Sequence, residues 1–281
     1  MFYESLVRCC VPLFLIASGM TILNKDYDLK EWVLKKITNR LIVPFLFYAA
    51  LTMIINRKPI ISLFILSDIG YWFWFFQTII TLYLIYPVIR TWLKHTKITW
   101  IIYFLLIWLL SISINYWAPD TTIISTDFIF IYVGYPIIGY LLTKIDLSKY
   151  KNFGLLAYIL SALLIFTLTI LYTNQDNLVQ ERWFIYLSPL VIINSIGLII
   201  FIKQICLSIK IKYIISMRNF LSNHSYGIFF LHPLIISRFY FLHNTIHPIF
   251  SDWIIFGLGI IITSVIIYIL SKIPYIKSLA G

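Results

Sequence analysis

The sequence predicts an all-α, polytopic membrane helix bundle of about nine spans, on three observations. Hydrophobic residues make up 61% of the chain and charged residues only 12%, against about 45–50% and about 25% in soluble domains. The apolar residues lie in continuous runs of helix length, not in the short alternating runs of outer-membrane strands. The polar bridges between the runs alternate in charge, as they do when a chain threads back and forth across a bilayer.

Nine runs are expected to span: 8–23, 41–56, 71–89, 98–115, 127–143, 153–172, 185–202, 219–241 and 252–271. Each is near the ~20 residues that cross hydrocarbon, the shortest with help from interfacial flanks. The first ends in Ser18-Gly19 and leads into a basic turn, Asn24–Arg40; the second starts at Leu41 with Pro44 one turn inside. The third opens on Tyr71, Trp72 and Trp74, and Trp117, Trp183 and Trp253 mark further span ends, as an interfacial aromatic belt does. The fifth carries Asp127 and is bent by Pro136. Between the seventh and eighth, Gln204–Arg218 mixes Ile, Leu and Tyr with Lys210, Lys212 and Arg218 and reads as an amphipathic helix lying along the lipid surface. No repeat, low-complexity tract or linker divides the chain, so residues 1–281 read as one membrane domain.

Charge sets the expected orientation. Most of the 22 cations lie in alternate bridges: Lys25, Lys30, Lys35, Lys36 and Arg40; Arg90, Lys94 and Lys97; Lys144, Lys149 and Lys151; Lys203, Lys210, Lys212 and Arg218; Lys272 and Lys277. The opposite bridges hold Arg8, Arg57, Lys58, Arg182 and Arg238 with most of the acids, among them Glu4, Asp68, Asp120, Asp127, Asp176, Glu181 and Asp252. The positive-inside rule then places the N-terminus outside and the C-terminus in the cytoplasm. The same rule accounts for the net charge of +11, so nucleic acid is not the expected partner. Cys9, Cys10 and Cys206 offer no disulfide framework, and no cleavable signal peptide is visible. No metal is expected: there is no CxxC, and the His243/His247 pair is followed by Pro248 in what reads as an outer loop.

Polar groups inside apolar spans are costly and so point to function. Gln77 and Thr81 share a face of the third span, with Tyr83 and Tyr86 near its basic end. The fifth span carries Tyr132, Gly134, Tyr135 and Gly139, and the seventh Ser188, Asn194 and Ser195. The eighth holds His224, Ser225, His232 and Arg238; Ser225 and His232 are seven apart and share a face. Each has a plainer reading, the polar pairs as glue between helices and the glycines as close-packing positions. His232, next to Pro233, can serve as acid, base or donor near neutrality or bond a carbonyl freed by the proline.

Five segments, in order, resemble acyltransferase family 3, membrane enzymes that O-acylate sugars of surface polysaccharides and other acceptors. Residues 8–19, RCCVPLFLIASG, are similar to that family's R…VPLFFMISG helix, and 40–45, RLIVPF, to its basic RxxR…IPF entry. Residues 74–90, WFFQTIITLYLIYPVIR, resemble its HLWFLYALIGLYLxxPxLR, and 130–142, FIYVGYPIIGYLL, its FxxGYxLGxxL. Residues 222–235, SNHSYGIFFLHPLI, resemble its SxxSFGIYLIHPLI.

The resemblance implies a multi-pass protein of the inner (plasma) membrane that moves an acyl group, typically acetyl from cytoplasmic acetyl-CoA, onto a glycan hydroxyl outside. Acyl-CoA and a glycan acceptor are then the implied partners beside the lipid bilayer, with acetyl-CoA a substrate and no cofactor required. Arg40 matches one arginine of RxxR, with Lys36 adjacent to the other position, Ile37, so Arg40 and Lys36 are the implied acyl-CoA contacts. Arg8, Ser18, Trp74, Gln77, Tyr83, Tyr132 and Ser225 are expected to line the pocket. Such enzymes begin with one more helix, bearing an arginine and the histidine taken as catalytic base; this chain starts after that point, and the family's His before LWF is Trp72 here. The reading is therefore either a truncated or misstarted version of an active enzyme or an inactive relative, with His232 the remaining candidate base. A glycan transporter or export partner is the alternative from another class.

Overall fold

The computed structural model describes residues 1–59, 66–117, 131–176, 181–274 and Leu279. Within them the chain is helical and forms no strand. Seven helical segments are long and apolar enough to cross a membrane: Phe2–Ile22, Leu29–Asn56, Tyr71–His95, Ser148–Thr173, Glu181–Ser208, Ser225–Asn244 and Phe250–Lys272. The expected count was nine. The fourth run folds as the helix Ile98–Trp117. The fifth folds as Gly134–Lys144, only 11 residues long, while Asp127 and the start of that run lie outside the described residues, as do Asp120 and Lys277.

Prolines explain where the helices deform, because each removes the N–H that would bond the carbonyl four residues earlier. Pro12 leaves Arg8 without its donor. The first span starts at Phe2, earlier than expected, and at Arg8–Cys9 it is interrupted, giving Phe2–Val7 and Cys10–Ile22.

Pro44 does the same to Arg40, and here the chain widens instead of breaking. Trp32–Ile42 is a π-helix, in which Thr38 Oγ1 donates to Val33 O at 3.0 Å and the Val43 N–H to Thr38 O. The basic turn is thus largely helix, a correction to the sequence reading; only the stretch around Asn24–Asp28 is not helical. Asp28 caps its start, its carboxylate accepting from the Lys30 N–H at 3.1 Å. The wide turn has a physical reason. Trp32 and Ile37, five residues apart, are both buried, with Leu41 behind them, while Lys30, Lys35 and Arg40 are exposed.

A second correction concerns the eighth span. The segment 219–241 is not one helix: Lys212–Asn223 ends at His224, Ser225–Ile236 follows, and Ser237–Asn244 continues as a 3-10 helix. His243, expected in a loop, lies in that last helix, where its Nδ1 meets Ser251 Oγ at 2.7 Å.

The chain clusters into two compact units, each discontinuous in sequence: Met1–Asp26 with Ile85–Ile209, and Tyr27–Leu84 with Lys210–Gly281. Backbone-to-backbone crossings hold the first unit. A Cβ on Gly19 would strike the Pro136 backbone and one on Gly139 the Ile16 carbonyl. Gly154 and Gly197 meet reciprocally, each facing the other's carbonyl. Glycine at these crossings lets helices approach closely enough for dispersion to hold them in lipid. Asn194 adds the expected glue, donating to Tyr158 O at 2.9 Å and Ser161 Oγ at 3.0 Å.

The second unit packs on aromatic rings instead. Phe45 stacks on Phe76 at 3.7 Å, Tyr48 on Phe230 at 5.6 Å, and Phe73 leans on Phe230 at 5.3 Å.

Candidate functional site

In the second unit, the site grows from another proline-freed carbonyl. Pro87 lies inside the helix Trp74–His95 and cannot donate to Tyr83 O. The Trp32 indole N–H takes the vacant place at 2.9 Å. Trp32 is buried, its ring stacked on Tyr83 at 5.4 Å and tilted on Tyr27 at 5.2 Å. On this three-ring column the π-helix sets its cations. Lys36 Nζ sits 5.1 Å from the centre of the Tyr27 ring, a contact worth about 0.5–1 kcal/mol where solvent reaches it. Arg40, one turn on, is exposed, and its charge acts on the Tyr83 hydroxyl. Tyr226 closes the cluster by donating to Leu41 O at 3.3 Å.

Neighbouring cations are differently occupied. Lys35 pairs with Glu31 at 3.1 Å, whereas Arg40 has no ion-pair partner among the described residues. An unpaired guanidinium beside an ammonium, over an aromatic floor, suits a phosphate-bearing ligand with a flat ring.

The first unit holds Arg8, Ser18 and Tyr132. Arg8 pairs with Glu4 one turn before it, and its guanidinium lies 5.1 Å from the Phe184 ring centre and 5.8 Å from that of Tyr186. Tyr135, fully buried, donates its hydroxyl to the Tyr186 carbonyl, and Tyr132 lies within electrostatic reach of Tyr186. Ser18 Oγ donates to Leu15 O at 2.8 Å, so its 2.6 Å contact with Tyr86 is an acceptance from the tyrosine hydroxyl. Beside these, Asp26 pairs with Lys94, and that hydrogen bond and charge hold its carboxyl below the usual carboxylate range. Arg90 donates to Lys25 O at 3.1 Å.

The remaining expected site residues are spread along their own helices. His232 is half-buried and its Nδ1 meets Ile228 O at 3.0 Å. A carbonyl only accepts, so Nδ1 carries a proton, which in the neutral ring leaves on Nε2 the lone pair a base requires. Ser225 donates to Ser222 O at 3.1 Å and does not meet His232. Gln77 is exposed, its carbonyl accepting from Thr81 at 2.7 Å, and Trp74 is half-buried against Phe75.

Against known families, a model described as an acyltransferase domain, that of acyltransferase family 3, matches residues 1–272. The chain belongs to acyltransferase family 3. No curated protein and no solved structure matched it. The family match spans all five segments whose resemblance was read from the sequence, and with the apolar helices it marks a multi-pass membrane protein.

For this family member the structure joins Lys36, Arg40 and Tyr83 in one cluster and Arg8 and Tyr132 in another. Sequence reasoning missed Trp32, Tyr27 and Tyr226 in the first, and Phe184 and Tyr186 in the second. For Trp32 there was a signal: a tryptophan five residues before Ile37 in a basic stretch, with an interior Pro87 elsewhere needing a donor. Phe184 and Tyr186 carried none, since only the tertiary fold brings them to Arg8.

Proposed function

We propose that this chain is an inner-membrane O-acyltransferase that moves an acyl group, acetyl by preference, from cytoplasmic acyl-CoA to a hydroxyl of a surface polysaccharide or its lipid-linked precursor. In this reading the N-terminus lies outside and the C-terminus in the cytoplasm. The observation that supports it best is the Lys36 and Arg40 pair held over the Tyr27–Trp32–Tyr83 column. Such a surface attracts the polyanionic end of CoA and leaves the thioester free to reach inward. The acceptor hydroxyl then attacks the thioester carbonyl, a base takes its proton, and the CoA thiol departs. His232, with its Nε2 lone pair, is the base in this scheme.

The test is transfer from labelled acetyl-CoA in membranes holding the chain, with the acceptor glycan recovered and counted. Label in the glycan above a membrane blank, lowered by Arg40→Ala, supports the reading. Export of unmodified glycan with no label incorporated overturns it in favour of a transport partner.

A further inference from the structure

The amphipathic helix Lys212–Asn223 has no part in the scheme above and is poorly served by the protein. None of its 12 residues is buried. Tyr213, Met217 and Phe220 fall on one stripe, four and three residues apart, and face Ser264, Val265 and Tyr268 on the helix Pro248–Lys272. Between the two stripes lies an open apolar groove of about 370 Å³. Of its rings, Phe220 and Tyr268 meet across it at 6.1 Å.

Two further observations say what fills the groove. The first is a hydroxyl. Serines in these helices ordinarily return a hydrogen bond to their own backbone, as Ser195 does to Val191 O at 2.6 Å. Ser264 Oγ is buried and has no partner among the described residues, and Ser264 lines the groove. An unpaired hydroxyl in hydrocarbon is costly, and rotation of the Ser264 side chain about χ1 would let an ester oxygen in the groove accept from it. The second is charge. From Gln204 to Gly281 the sole acid is Asp252, near the far end of the long helix from Lys272. Lys272 Nζ sits 5.1 Å from the centre of the Tyr268 ring that lines the groove, and along the chain Lys212 adjoins Tyr213 and Arg218 adjoins Met217, two more lining residues. An apolar trough open to the side, with cations adjoining its lining residues and no acid but Asp252 in this part of the chain, is complementary to one amphiphile.

We propose that this groove binds an anionic phospholipid, with an acyl chain along Met217, Phe220 and Val265, a glycerol ester at Ser264, and the phosphate between Lys212 and Lys272. The site would seat the interfacial helix on the anionic leaflet, in which each nearby lysine strengthens attraction to the headgroup.

The experiment is native mass spectrometry of the full chain released from detergent with phosphatidylglycerol or phosphatidylcholine, with polyprenyl phosphate as competitor. Wild type should retain phosphatidylglycerol over phosphatidylcholine. Lys212→Gln and Lys272→Gln should each lower that preference roughly fivefold. Val265→Trp, at an exposed position where the fold tolerates it, should remove one bound lipid of either kind while the protein stays monodisperse and helical. An unchanged preference in Lys212→Gln and Lys272→Gln, singly and combined, would overturn the proposal. So would polyprenyl phosphate displacing phosphatidylglycerol from wild type but not from Val265→Trp, which would give the groove to a lipid-linked substrate instead.

Discussion

Arg8-Cys-Cys-Val-Pro12 and Arg40-Leu-Ile-Val-Pro44 are the same local device with opposite outcomes. In both, an arginine stands four residues before a proline and loses the N–H its carbonyl would have accepted. At Arg8 the helix breaks, and the side chain turns to Glu4 and the faces of Phe184 and Tyr186. At Arg40 the helix widens to π geometry, and the side chain stays exposed without an ion-pair partner among the described residues. The difference teaches that a cation in a membrane protein is assigned its work by its neighbours. Arg8 is compensated, so it holds structure; Arg40 is available, so it can hold a ligand.

The sharpest way to break that contrast is Arg8→Ala, which leaves Glu4 unpaired and empties the aromatic cage. Stability in detergent should fall by about 2 kcal/mol, the sum of a partly exposed i,i+4 ion pair and two cation–π contacts. Should it melt like wild type, Arg8 is not structural.

Next is Trp32→Phe, which keeps an aromatic, if smaller, ring but strips the donor from Tyr83 O, at a cost of about 2 kcal/mol for an acceptor left without its partner. Pro87→Ala in that background restores a backbone N–H to the same carbonyl and should recover much of the loss. Failure of the second change to rescue the first would mean that Trp32 acts through its ring alone.

Arg40→Ala comes third. Melting should be unchanged and the acyl-donor KM should rise about tenfold, an effect of about 1.4 kcal/mol, with the wild-type KM rising toward the variant's as salt screens the site. An unmoved KM removes Arg40 from donor binding.

The smallest expected effect is Asp26→Asn. The depressed carboxyl of Asp26 contributes stability that is present above the ordinary carboxylate range and disappears as pH falls through its lowered value. The variant should therefore melt marginally below wild type at neutral pH and level with it in strong acid; a gap that widens on acidification would contradict the Lys94 pairing.

Much of the architecture could be read from one chain because lipid imposes a severe rule: a spanning backbone must satisfy its own hydrogen bonds, so long apolar runs become helices. The places where reading failed are those where that rule does not decide. The basic stretch before Leu41 looked like a turn because of its lysines, yet Trp32 and Ile37 on the opposite face made it helix. Gly134 and Gly139 were legible as packing residues, and the ring of Trp108 and the backbone of Ile16 against them show what they admit. Gln77 and Ser225 were placed by periodicity alone; periodicity cannot say which helix covers a face, and the structure leaves Gln77 exposed.

The sequence by itself determined the class, the family, the approximate spans and the prolines that deform them, because these follow from composition, run length and a missing N–H. Only the tertiary structure decided how each deformation resolves, since a freed carbonyl has no preferred partner until another helix brings one. Trp32 reached Tyr83 O that way, and the Glu4 carboxylate with the rings of Phe184 and Tyr186 held Arg8 at its break.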